Sequence, residues 1–140
     1  MSISIQEADF DSGAEIATLT ADSADAGAVA SFVGLVRGGE IRAMTLEHYP
    51  GMTEKALAEI VAEARRRWEL LGVRVIHRVG RLLPGERIVL VAVASTHRQA
   101  AFAACEFIMD YLKTRAPFWK REETTAGSRW VDARESDDEA

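Results

Sequence analysis

Seven consecutive apolar residues, Ile88 to Ala94, constrain this chain more than any other stretch. A strand with no polar alternation is one buried on both faces. Leu83-Pro84-Gly85, just before it, reads as the tight connection of a hairpin whose first arm is predicted over Val73 to Leu82, the second running from Glu86 to Ser95. After it, Thr96-His97-Arg98-Gln99 has the spacing of a capping box, with Thr96 as the expected N-cap. The helix so begun is predicted from His97 to about Thr114, with Ala101, Ala104, Cys105, Ile108, Tyr111 and Leu112 on its buried side. It must stop before Pro117, which disfavours the helical region for Ala116.

The same reading orders the rest of the chain. Residues 2–7 alternate as a half-buried strand does, and Asp11 to Leu19 is predicted as a short helix capped by Asp11 or Ser12. Gly27 to Val36 reads as a buried strand ending at Arg37-Gly38-Gly39, where the glycines free the backbone for a turn. Ile41 to Tyr49 is a further strand, closed by Pro50-Gly51. Leu57, Ile60, Val61, Ala64, Trp68 and Leu71 then recur at helical spacing, predicting an amphipathic helix ended by Gly72. Phe118 to Thr124 and Ser128 to Val131 are expected as short terminal strands. Strands paired by hairpins and interrupted by helices favour an α+β single domain over 1–140, with a mixed, mainly antiparallel sheet.

Charge placement narrows the function. Between Lys113 and Arg121 there are four cationic side chains and no acidic one, in a chain of net charge −5. A local excess of one sign against the global balance is a candidate site for a ligand of the opposite sign. Residues 132–140 hold five acids and one Arg and are expected as a mobile acidic tail, which leaves the body close to neutral. That balance argues against a nucleic-acid binder such as an RNA-binding domain built on Lys113 to Arg121 and Trp119. No secretory signal and no bilayer-length apolar run is apparent, so no membrane partner is expected. The single cysteine, Cys105, fits a reducing, cytoplasmic compartment and reads as a small core residue.

Four places supply cations that a fold could gather. Arg37 follows a buried strand at a Gly-Gly turn; His97 and Arg98 occupy a helix start, where free N–H groups favour an anion; Lys113 and Lys120 flank the Pro117 break. Phe118 and Trp119 read as core or interface residues. His48 and His77 lie in separate strands without ligand spacing, so no metal site is expected. Phosphate-binding GxxxxGK[ST], GxGxxG and GxSxG motifs are absent.

Leu46 to Lys55 (LEHYPGMTEK), Ile76 to Gly80 (IHRVG), Ser95 to Arg98 (STHR) and Phe107 to Glu122 (FIMDYLKTRAPFWKRE) closely resemble the large, catalytic subunit of molybdopterin synthase. The likeness runs from about Gly27 to Asp137. It implies an α/β-hammerhead fold and a cytoplasmic enzyme of molybdenum cofactor biosynthesis. It also implies a central homodimer flanked by two small ubiquitin-like sulfur-carrier subunits, a heterotetramer in all. The carrier's C-terminal Gly-Gly thiocarboxylate would donate sulfur to a small-molecule pterin phosphate, cyclic pyranopterin monophosphate, making the dithiolene of molybdopterin. No cofactor is implied, since the product is itself a cofactor precursor. With no ubiquitin-like stretch in this sequence, the carrier is expected as a separate chain.

By motif, Lys113 and Lys120 match the family's two active-site lysines, and Arg37, His97 and Arg98 its anion-binding residues. Leu35, Val36, Arg121 and Glu122 adjoin these and are expected at the substrate, with Phe32 on the strand leading in. Both reactants are anions, which Arg, Lys and a helix N-terminus can bind. An ammonium crowded by like charges loses its proton more readily, which would suit a general acid or base. The loop after Arg37 is shorter than is common in the family, which puts contacts from that loop in question. The competing expectation is a non-catalytic module that holds a Gly-Gly protein tail by its carboxylate.

Overall fold

The computed structural model describes residues 2–132, so all but the first residue of the predicted acidic tail lies outside the described residues. The elements are β1 (Ile3–Gln6), α1 (Ser12–Thr20), β2 (Ala28–Leu35), β3 (Ile41–His48), α2 (Met52–Arg67), β4 (Leu70–Arg78), β5 (Gly80–Leu82), β6 (Arg87–Ser95), α3 (Arg98–Thr114), β7 (Phe118–Thr124) and β8 (Gly127–Asp132). They form an α+β fold with two four-stranded sheets, ordered β1-β4-β6-β2 and β5-β3-β7-β8. Among the described residues only the β1–β4 pair is parallel; the others run antiparallel.

The apolar run of β6 has the predicted cause. Val89, Val91 and Val93 face α2 and α3, packing on Leu57, Val61, Ala104 and Ile108. Leu90 and Ala92 face the other way, onto Phe10 and the α1 residues Ile16 and Leu19. Helices on both faces leave this strand no solvent side, so alternation disappears. A third cluster, Val36, Met44, Leu46 and Leu82, forms the base of the second sheet.

The strand predicted over Val73 to Leu82 is two strands. β4 pairs with β6 from Leu70↔Ser95 to His77↔Val89. At Gly80, whose φ is +90°, the chain then turns out of the first sheet, and β5 pairs with β3 instead. Glycine tolerates this backbone where a side chain would be strained. Buried Arg78 clamps the turn: Nε and Nη2 donate to the Glu7 carbonyl at 3.0 and 2.9 Å, and Nη1 donates to the Arg87 carbonyl at 3.0 Å. Consequently Leu83-Pro84-Gly85 joins two sheets and is not the tip of a simple hairpin.

Two helix ends also differ from expectation. α2 stops at Arg67, and Trp68 turns extended to pack edge-on against Phe107 at 5.4 Å between ring centroids. Gly72 is therefore a strand residue. It permits close packing, since a Cβ there would lie 2.8 Å from Leu19 Cδ1. At α3 the N-cap is His97, not Thr96, and it makes no side-chain capping bond, so the capping box does not form. Asp11 is the N-cap of α1, its Oδ1 accepting from Ala14 N at 3.1 Å.

Candidate active site

The chain passes between the sheets five times, after β2, through α2, after β4, after β5 and through α3, and a cleft of about 350 Å³ lies where the two sheets meet. Strand alternation decides which residues of β7 reach it. Phe118, Lys120 and Glu122 line the cleft. Successive strand residues point to opposite faces, and Arg121 lies on the far one, its guanidinium carbon 5.6 Å from the centroid of the Trp130 ring. Lys113, in the last turn of α3, brings its ammonium nitrogen to 5.8 Å from the Phe32 ring centroid. Arg37 enters from the loop between β2 and β3. Three cations from three separate elements thus share one cavity.

Glu122 offsets part of this charge. It is buried in the cleft wall, and Arg129, directly opposite on β8, donates to its Oε1 at 3.3 Å. The cleft wall is otherwise largely apolar, with Met44, Leu46 and Leu112 among its residues. Low-dielectric walls strengthen the attraction of these cations for an anion.

The sequence-predicted residues divide by position. Leu35, Arg37, Lys113, Lys120 and Glu122 come together, with Phe32 beside them. Val36 does not, because its side chain turns into the core beside Met44 and Leu82. His97 and Arg98 do not either: they start the helix that Lys113 ends, and fifteen residues of α-helix separate Arg98 from Lys113 by about 22 Å. One copy of the chain therefore does not join that helix start to the cleft.

Sequence reasoning weighed His77 only as a metal ligand and did not place it at the site. It lines the cleft, is buried, and stacks on Phe118 with 3.8 Å between centroids and 14° between planes. Its Nδ1–H donates to the Arg78 carbonyl at 2.8 Å. Burial pushes the imidazolium down to about 4, against the opposing effect of that hydrogen bond, and nearby His48 lowers it further. Phe118, read as packing, both packs and shapes the cavity. The signal available was a lone histidine in an apolar strand three residues before a glycine. Among the described residues no cluster of His, Cys, Asp or Glu is placed to hold a metal ion.

Fold and cleft together define an α+β protein with a cavity lined by three cationic side chains at the junction of two sheets. The family model described as MoaE protein matches residues 5–115. A curated relative, the molybdopterin synthase catalytic subunit of Ralstonia nicotianae, is 64% identical over 99% of this chain and 81% of its own length. The solved structure of a molybdopterin biosynthesis MoaE protein from Burkholderia ambifaria superposes with a TM-score of 0.85 at 60% identity, covering 99% of this chain and 93% of that one. A chain from the complex of subunits 1 and 2 of the Helicobacter pylori molybdopterin-converting factor has TM-score 0.81, covering 96% of this chain and 92% of that one; at 19% identity it shows the fold alone. The chain belongs to the MoaE family, the catalytic subunits of molybdopterin synthase, and so to molybdenum cofactor biosynthesis.

Proposed function

We propose that this cleft transfers sulfur from the C-terminal thiocarboxylate of a small ubiquitin-like carrier subunit to cyclic pyranopterin monophosphate, forming the dithiolene of molybdopterin. The observation that carries the reading is the convergence of Arg37, Lys113 and Lys120 on one largely apolar cavity. Arg37 suits the cyclic phosphate, since a guanidinium donates two parallel hydrogen bonds to a phosphate. Lys113 assists departure of sulfur next to the carrier's terminal carbonyl. Lys120, from the facing strand, positions the pterin or exchanges protons with it.

The carrier is a separate chain carrying a C-terminal Gly-Gly, and the chain works as a homodimer within a heterotetramer, in the cytoplasm. The complex of subunits 1 and 2 of the Helicobacter pylori factor supports a partner subunit. No helix among the described residues is long and apolar enough to cross a membrane. No cofactor is required by this chemistry. The test is reconstitution with thiocarboxylated carrier and the cyclic precursor, followed by detection of dithiolene. Lys113→Ala is expected to abolish product while leaving carrier binding largely intact. Full turnover by that variant overturns the assignment, and carrier binding by the wild type without product would favour a tail-binding module.

A further inference from the structure

We propose that His77 is a substrate-recognition residue: its unprotonated Nε2 accepts a hydrogen bond from a ring N–H of the pterin and so sets the orientation of the bicycle in the cleft. This rests on the sulfur-transfer reading above and adds a residue to it.

The tautomer follows from the geometry. A carbonyl oxygen can only accept, so the 2.8 Å contact between Nδ1 and the Arg78 carbonyl places the proton on Nδ1. Burial of the ring disfavours the imidazolium, and a neutral imidazole with its proton on Nδ1 leaves Nε2 a lone-pair acceptor. Among the described residues Nε2 has no hydrogen-bond partner, and the nitrogen is not fully enclosed by protein. The ring cannot easily turn to offer anything else. The Phe118 stack fixes its plane and the Nδ1 bond fixes its rotation about that plane. An acceptor held this way is organised before the ligand arrives, which reduces the ordering cost of binding.

The cleft also needs such a group. Arg37, Lys113 and Lys120 are hydrogen-bond donors only and suit the anionic ends of the two reactants. A pterin carries N–H donors as well, and burying them without acceptors is costly. Glu122 is the one carboxylate lining the cleft among the described residues, and Arg129 already occupies one of its oxygens. His77, stacked on Phe118 in the cleft wall, supplies an uncharged acceptor that does not cancel the lysines' charge.

The experiment uses the full chain with its thiocarboxylated carrier. His77→Phe keeps an aromatic ring to stack on Phe118 and removes Nε2. The expected result is a rise in KM for the cyclic precursor of about five- to a hundredfold, the range for leaving a buried donor unpaired, with carrier affinity unchanged. His77→Gln, which returns an acceptor near the Nε2 position, is expected to recover part of it. Nitrogen-15 spectra of the wild type give a readout that a packing role would not move. The Nε2 resonance is expected in the unprotonated range and to shift on adding precursor. A wild-type KM in the Phe variant, or an Nε2 resonance indifferent to precursor, overturns the proposal. Failure of the wild type to form dithiolene at all would instead strike the parent reading.

Discussion

The ammonium nitrogen of Lys113 lies 5.8 Å from the centroid of the Phe32 ring, across the junction between the end of α3 and the edge strand β2. A ring face attracts a cation and narrows the space the flexible lysine stem explores. Phe32→Leu is therefore expected to lower the rate of dithiolene formation about two- to fivefold, the kinetic equivalent of one partly exposed cation–π contact. With the ring 37% exposed, thermal stability should barely move. A variant with wild-type turnover would show that the ring does not hold Lys113.

His77 makes stability depend on pH in a defined window. Its folded value of about 4 lies below the ordinary 6.5, so the unfolded chain takes up a proton that the folded chain refuses. The contribution is fully present above pH 6.5 and is lost as pH falls towards 4, amounting to roughly 3 kcal/mol for a shift of this size. Urea unfolding at a series of pH values should show that decline in the wild type. His77→Phe should lack it, so parallel curves for the two proteins would refute the assignment.

The clamp at the β4–β5 turn gives a prediction about folding energy alone. Arg78 satisfies the carbonyls of Glu7 and Arg87 and approaches Glu86 Oε1 at 3.3 Å. Beside it, Asp9 is drawn down to about 2, first by its side-chain bond from Arg87 and then by the Phe10 N–H. Arg78→Met keeps the buried stem but leaves these acceptors without a donor. The expected loss is about 3 kcal/mol in urea unfolding. A loss below about 1 kcal/mol would mean that water replaces the guanidinium freely.

The parts of this fold legible in the sequence are those fixed by neighbours along the chain. The doubly apolar β6, the helix ending before Pro117 and the Asp11 cap each depend on a few adjacent residues. Partner choice between strands depends on distant ones, so nothing local showed that Gly80 sends β5 to the second sheet. Leu71 stood at helical spacing from Trp68 by coincidence of period, although both it and Gly72 belong to β4. In the site, Lys113 and Lys120 stood out through charge and through the family resemblance. Arg121 was placed beside them because it adjoins Lys120 in the motif, whereas the two-residue period of the strand turns it to the other face. His77 stayed hidden because its importance comes from Phe118, forty-one residues away in sequence and in contact only after both sheets form.

Gly72 offers a test of close packing by a double-mutant cycle. A Cβ at this position would meet Leu19 Cδ1 at 2.8 Å, and the leucine side chain packs beneath the first sheet. Gly72→Ala alone is expected to cost about 1–3 kcal/mol through overpacking. Paired with Leu19→Ala, which removes the obstructing methyls, the glycine substitution should cost much less. Additive losses would place the strain in the backbone and not in this contact.

The pairing of Glu122 with Arg129 sets a limit on how positive the cleft can be. Glu122 is 5% exposed in its side chain while Arg129 is 67% exposed, so the arginine's own contribution to stability is about 1 kcal/mol or less. Its effect on the site is larger in kind, because a Glu122 released from β8 remains in a cavity with Arg37 and Lys120. There the carboxylate competes with an anionic substrate for the same cations. Arg129→Gln should therefore leave unfolding by urea nearly unchanged and raise KM for the cyclic phosphate several-fold. Arg129→Lys, which restores the charge without the planar fork, should fall between the two. Equal KM values in all three proteins would mean that Glu122 is held away from the lysines by the strand pairing of β7 with β3 and β8 alone.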